Sequence, residues 1–243
     1  MKEVADLLRE KFQLKETIVT ITAQERSHLV AAIGEIALQR ALLEEFIRSD
    51  PFFLVTLEPY DLPIDGAPQI VKEMARAASA VGIGPMSSVA GTIASFALEA
   101  MMEAGATHAI VDNGGDVSLV ADRPVLMGIY AGSSPLKGLA FEILPRKKPL
   151  GICTSSGTVG PSISFGSADA AVVVSEDVPL SDAAATALGN AVGEASPLGE
   201  AFGAVAVPGV TGALVIRGEK MAIFGDLPPL RRARLAPDLI TRG

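Results

Sequence analysis

The chain has 243 residues, 49% of them apolar and 20% charged, which is enough to bury a large core. A formal charge of −8 argues against a duplex-binding surface, and an aromatic share of 5% without Trp leaves few stacking platforms for single-stranded nucleic acid. The single cysteine, Cys153, has no internal disulfide partner, so stability must come from packing and a reducing compartment is favoured.

Val4, Leu7, Leu8 and Phe12 are spaced as on one helix face and predict a helix over 2–12. Residues 18–22 are β-branched and predict a strand. Leu29, Ile33, Ile36, Leu43 and Ile47 keep helical spacing over 24–49, and Pro51 ends that helix. Residues 52–57 predict a further strand, followed by a crossing that contains Pro59, Pro63 and Pro68. A helix is expected over 68–79, then a turn-rich segment at 81–88 and a second helix at 89–103. The stretch 77–98 lacks charge and is long enough to cross a bilayer, yet Gly82, Gly84, Pro85 and Gly91 would break a spanning helix. No membrane segment is expected. Strands at 107–112 and 117–120 flank the tight turn Asn113-Gly114-Gly115-Asp116. Further strands are expected at 125–130, 139–144 and 170–174, an Ala-rich helix at 181–193, and a hairpin from 213–216 and 221–224. Arg231, Arg232 and Arg234 form a basic run that reads as a solvated tail.

Three stretches place small residues where an ordinary fold would put bulk. Gly82 to Ser88 precedes a helix, where exposed backbone N–H groups and the helix dipole suit an anion, although close helix packing explains the same residues. Between Cys153 and Gly166 the chain carries many hydroxyls and three glycines, either a ligand-contacting segment or an elaborate surface loop. In the third stretch Ser181 reads as a helix N-cap with Asp182 at the positive end. Asp182 and Thr186 are four apart, so their oxygens share a helix face; carboxylate and hydroxyl suit a hard cation such as Mg²⁺. The competing reading is an Asp at a helix start beside an inward-facing Thr. His28 and His108 have no Cys or acidic neighbour at zinc spacing, no Gly-x-Ser-x-Gly elbow is present, and Cys153 in its apolar run reads as a packed thiol.

Taken in order, these segments resemble the ApbE-like superfamily, whose best-known members are FAD:protein FMN transferases. The counterparts are Gly84-Pro85-Met86-Ser87-Ser88-Val89-Ala90-Gly91, Asn113-Gly114-Gly115-Asp116, Thr154-Ser155-Ser156-Gly157 and Ser181-Asp182-Ala183-Ala184-Ala185-Thr186. The chain is most similar to a non-secreted sister branch, through Val-Gly-Ile-Gly-Pro-Met, Asp-Asn-Gly-Gly-Asp-Val and Thr-Ser-Ser-Gly-Thr-Val-Gly. The resemblance implies an α/β (α+β) fold of mixed sheets with packed helices in a single domain over 1–243. Within it, 1–67 is an N-terminal helix and strand portion, 68–225 a core carrying the motifs, and 226–243 a Pro/Arg-rich tail.

The resemblance also implies a site. Ser87, Asp182 and Thr186 match the metal-holding positions, and Gly84, Ser88, Gly114, Gly115, Asp116, Thr154, Ser155, Ser156, Gly157 and Thr158 match the cofactor-binding segments. The implied cofactors are Mg²⁺ and FAD or FMN. The implied partner is a flavin or another phosphorylated small molecule, with no nucleic acid and no membrane, in the cytoplasm. A homo-oligomer is compatible with the Ala- and Gly-rich helices.

The family's Asp and Lys that contact FAD fall on Gly84 and Ala90, and its His-x-Asp-Pro-x-Thr-Gly segment is replaced around Ser162 to Ser167. Losing a charge-assisted contact costs on the order of 1.5–3 kcal/mol, so two such losses weaken FAD binding about a hundredfold or more unless replaced. The expected function is therefore a Mg²⁺-dependent enzyme acting on a flavin nucleotide or another phosphorylated molecule, and the alternative is a non-catalytic flavin or metabolite binder.

Overall fold

The computed structural model describes residues 7–61, 66–136, 138–157 and 166–233. Eight strands form one sheet in the order β1-β2-β3-β4-β7-β8-β9-β10, and three form a second in the order β11-β6-β5. Among the described strands every pairing is antiparallel. The large sheet comprises β1 (Leu8–Leu14), β2 (Thr17–Ala23), β3 (Ala109–Asn113), β4 (Asp116–Ala121), β7 (Arg146–Ser155), β8 (Ala170–Ser175), β9 (Val210–Arg217) and β10 (Lys220–Gly225). The small sheet is β5 (Val125–Ile129), β6 (Leu139–Ile143) and β11 (Leu230–Arg232). The helices are α1 (Arg26–Ser49), α2 (Phe52–Val55), α3 (Gln69–Ala80), α4 (Val89–Glu103) and α5 (Val178–Ala191), with a 3-10 turn at Pro85–Ser88 before α4.

The large sheet is buried on both faces, and strand alternation explains how. Cys153, Ala171, Val173, Ala213 and Val215 point to the layer containing α5. Their neighbours Ile152, Val172, Val174, Leu214 and Ile216 point the other way, onto Phe141 and Ile143 of the small sheet. This is why β8 reads as a continuous apolar run. At the other end of the sheet, α1, α3 and α4 build a separate core around Ile36, Met74, Leu98 and Met101. Where α3 meets α5 the contact is made by Ala77, Ala78 and Ala183, whose small side chains bring the helices close. Among the described residues no single helix is long and apolar enough to cross a membrane. The uncharged stretch instead folds as Gln69–Ala80 and Pro85–Glu103, bent by 103°.

Three elements differ from expectation. The helix expected over 2–12 gives way to β1, and residues 1–6 lie outside the described residues. Leu8 and Phe12 fit period four and period two equally, and β1 pairs with β2 from Leu8↔Ala23 to Leu14↔Thr17. Residues 52–57 form no strand: the Asp50 carboxylate accepts from the Phe52 N–H at 3.1 Å and starts the short helix α2. The basic run is no free tail as far as it is described, since β11 pairs with β6 and Arg231 bridges to Glu142 at 2.7 Å.

Helix α5 also starts earlier than the sequence suggests. Its N-cap is Asp177, whose side chain accepts from the Leu180 N–H at 3.0 Å, with Pro179 in the first turn. Ser181, the expected cap, lies inside the helix and donates to the Val173 carbonyl of β8 at 2.7 Å. Asp177 also holds Arg76 of α3 in an ion pair. We expect Asp177→Ala to cost about 1 kcal/mol through the lost cap. That is a fall in melting temperature of roughly 2–4 °C for a chain of this size. An unchanged melt would mean that the cap is redundant.

Candidate functional site

The site forms where α5 crosses the start of α4 beside the β3–β4 hairpin. The sequence brings these elements close by omitting side chains. A Cβ on Gly151 would stand 3.0 Å from both the Ser181 Cβ and the Val178 Cα, so glycine there lets α5 lie on β7. A Cβ on Gly91 would stand 2.6 Å from the Asp182 Cβ, so glycine there lets α4 meet α5. The result turns Asp182 toward the first turn of α4. Its Oδ2 accepts from the Gly91 N–H at 2.7 Å, with a further contribution from the Ala90 backbone. This carboxylate occupies the helix-terminal amides that would otherwise lack partners.

Asp116 approaches from the hairpin. Asn113 and Asp116 pair across the two-residue turn Gly114-Gly115, whose φ values of 71° and 104° demand glycine at both positions. The Asn113 amide donates to the Ala90 carbonyl at 3.0 Å and ties the hairpin tip to α4. In the sheet Asp116 stands opposite Cys153. Its carboxyl hydrogen-bonds with that of Asp182, takes the Thr154 backbone N–H and touches the Cys153 thiol. Asp116 as a residue is half-buried, and it is the carboxyl end that is packed away.

Two carboxyl groups thus meet in a water-poor place, and among the described residues no basic group offsets either of them. Burial raises both pKa values, with the neighbouring charges of Asp182 and Asp112 adding to the rise at Asp116. Asp182 is pushed up to about 7. Burial, then the nearby Asp116, also raises the Cys153 thiol, which is therefore held neutral as an inert packed group. Because the Asp182 pKa is higher folded than unfolded, its contribution to stability is complete below about pH 4 and is lost as pH rises through about 7. In chelator, the melting temperature is expected to fall between pH 5 and 8, and Asp182→Asn to flatten that fall. Equal slopes for the two proteins would show that the carboxyl is solvated.

Thr186 lies one turn along α5, with its hydroxyl 3.4 Å from the Ser87 carbonyl oxygen. The Ser87 hydroxyl donates to the Gly84 carbonyl at 2.6 Å. The oxygen facing Thr186 is a main-chain one. Ser88 is fully buried and its hydroxyl donates to the Pro85 and Met74 carbonyls, so it locks the 3-10 turn and presents nothing outward. Gly84 packs against the chain after α2, where a Cβ would fall 2.0 Å from the Thr56 carbonyl oxygen. Thr154 and Ser155 end β7, and the Ser155 hydroxyl lies against Gly189 of α5. Gly157 donates its N–H to Ala168 at 2.9 Å, and a Cβ on Gly157 would meet the Gly166 carbonyl. A Cβ on Gly166 would in turn meet the Gly189 carbonyl, so glycine at 157 and 166 allows close backbone contact beside α5. Ser156 links Ser155 to Gly157 in the chain; Thr158 lies outside the described residues.

Of the expected positions, Asp116, Asp182, Thr186, the Ser87 carbonyl and the Thr154 backbone converge, with Gly114 and Gly115 forming the adjacent turn. Ser88 and Gly84 stand behind them as packing residues, and Ser155 and Gly157 sit further along α5. Sequence reasoning missed Gly91 and Asn113, although a glycine in a first helical turn and the first residue of the tight turn were both visible. The donors brought together are hard oxygens, two of them carboxylates without basic partners among the described residues, and this chemistry fits Mg²⁺, which needs few protein ligands and keeps water. Among the described residues no three His, Cys, Asp or Glu side chains form a metal cluster, so a zinc-type cage is not what the site resembles.

A family model described as "AbpE bacteria" matches residues 3–206, and the chain belongs to that family. Its relatives include a UPF0280 protein of Methanothrix thermoacetophila, 56% identical over 237 residues, covering 98% of this chain and 100% of the relative. A UPF0280 protein of Methanosarcina acetivorans is 54% identical over 237 residues, covering 97% of this chain and 93% of the relative. The fold is shared with the flavinyl transferase ApbE of Pseudomonas stutzeri in its apo form, at a TM-score of 0.58 and 10% identity over 98% of both chains. A variant of the Vibrio cholerae flavin transferase ApbE gives a TM-score of 0.56 at 14% identity, covering 90% of this chain and 97% of that one. At these identities the structures establish a common fold, and the ApbE-like α/β architecture expected from the motifs is confirmed.

Proposed function

We propose that this chain is a Mg²⁺-dependent enzyme that binds a flavin nucleotide, or another phosphorylated small molecule, at the crossing of α4 and α5. The observation that carries the reading is the unbalanced pair Asp116 and Asp182, set beside the Thr186 hydroxyl and the Ser87 carbonyl. Asp182, Thr186 and Ser87 would hold the cation, and Asp116 would supply the second negative charge that compensates it. A bound Mg²⁺ supplies Lewis-acid polarisation of phosphoryl oxygens. The chain's own contribution is positional. Gly91 and Ala90 fix one face of the Asp182 carboxylate, and Asn113 fixes the hairpin that carries Asp116. The fold shared with ApbE flavin transferases supports a flavin over other phosphorylated compounds.

The test is a thermal melt with Mg²⁺ and, in turn, FAD, FMN, ADP and pyrophosphate. A ligand at a hundred times its Kd adds about 2.7 kcal/mol, which for this size is roughly 5–10 °C. No shift with any of the four would overturn the proposal.

A second reading, a non-catalytic flavin or metabolite binder, is favoured by one observation. Gly84 and Ala90 carry no charge where the transferases carry an Asp and a Lys, and Gly84 is enclosed by Thr56. It predicts the same thermal shift with no product after prolonged incubation, so product analysis by mass spectrometry separates the two.

A further inference from the structure

Helix α1 turns an apolar face to solvent on the side opposite the core. Val30 is 62% exposed and Leu38 50% exposed, with Gly34 and Ala37 exposed between them and Ala41 exposed just beyond along the same side. Gly34 is the informative residue. A Cβ built on it meets nothing within 4 Å, so no contact among the described residues calls for glycine, although glycine weakens the middle of a helix relative to alanine. Small residues at such a place have a use when a second helix approaches closely from outside, toward the short end of the usual 8–10 Å spacing.

We propose that this face is the contact between two copies of the chain, with α1 packing antiparallel on α1 around a two-fold axis near residues 35 and 36. In that register Val30 lies over Ala41 of the second copy and Gly34 against its Ala37, each contact occurring twice by symmetry. Charge decides the occupant and the direction. Exposed Arg26 stands at the N-terminal end of the stripe and exposed Glu45 near the other end, so antiparallel self-pairing sets each Arg26 beside the other copy's Glu45. Parallel pairing would set like charges together. Arg26 is free to turn this way, since its contact with Glu10 is a loose 3.8 Å and its side chain is 79% exposed. The inference rests on α1 alone and is independent of the site described above.

Sedimentation velocity on the full chain, from one to several hundred micromolar, tests it. The expected wild-type species has twice the 25.0 kDa of one chain. Ala37→Glu should give a folded monomer. Arg26→Glu should weaken dimerisation at least tenfold, and adding Glu45→Arg should restore it, because the pair is then reversed rather than broken. These surface charge changes carry the test even if Ala37→Glu fails to fold. A wild-type monomer across the whole range, a dimer retained by Ala37→Glu, or a double swap no stronger than the single one would each overturn the proposal.

Discussion

Asp182→Asn is expected to abolish Mg²⁺-dependent thermal stabilisation by a flavin nucleotide, with apparent affinity falling about a hundredfold or more. The loss follows from removing a charged ligand, which exceeds the 10–100-fold usually seen for groups that only orient ligands. The substitution is nearly isosteric, and its side-chain oxygen still accepts from the Gly91 N–H, so the helix crossing is preserved. It also removes one of two buried like charges, so the variant without metal should melt no lower than wild type at pH 8. Loss of binding with retained stability is therefore the signature. If the variant binds as wild type does, the carboxylate serves only the start of α4, and the metal reading falls. Thr186→Val gives a smaller effect in the same direction, because a hydroxyl contributes less charge to a cation.

Phe53→Ala is expected to be the most destabilising truncation of the N-terminal portion. Phe53 is fully buried and meets Phe46 edge-on at 5.2 Å and Tyr60 at 5.0 Å. Removing a buried Phe costs roughly 3–5 kcal/mol, which for a chain of this size lowers the melting temperature by roughly 6–20 °C. The consequence reaches the site through contact. Phe53 anchors α2, the Thr56 carbonyl that follows it encloses Gly84, and the Gly84 carbonyl accepts from the Ser87 hydroxyl. Weakened ligand binding should therefore accompany the loss of stability. A melt within 2 °C of wild type would mean that the aromatic trio is dispensable.

The parts of the fold legible in the sequence were those fixed by local chemistry. The helix at 89–103 was bounded as found, and the Gly114-Gly115 turn was evident because only glycine accepts its backbone angles readily. Asp182 and Thr186 were visible for a similar reason, since a spacing of four means one face on any helix. What stayed hidden depends on distant strands. Asp116 meets Asp182 only because β4 and β7 pair with Asp116 opposite Cys153, while Gly151 lets α5 sit on that strand. Which oxygen of Ser87 faces Thr186 is not legible in a sequence, because it belongs to the backbone. The N-terminal strand was misread because even-numbered apolar positions satisfy a helix and a strand alike. Ser181 drew attention as a cap because the true one, Asp177, lies beyond Pro179.

The absent Cβ at Gly91 carries an evolutionary consequence. With 2.6 Å available to the Asp182 Cβ, Gly91→Ala cannot be judged alone: in wild type it should cost on the order of 1–3 kcal/mol, and in an Asp182→Gly background far less. The two positions are epistatic. Only a lineage that had reduced position 182 to glycine would be released to fill position 91, so drift away from this chemistry has a preferred order.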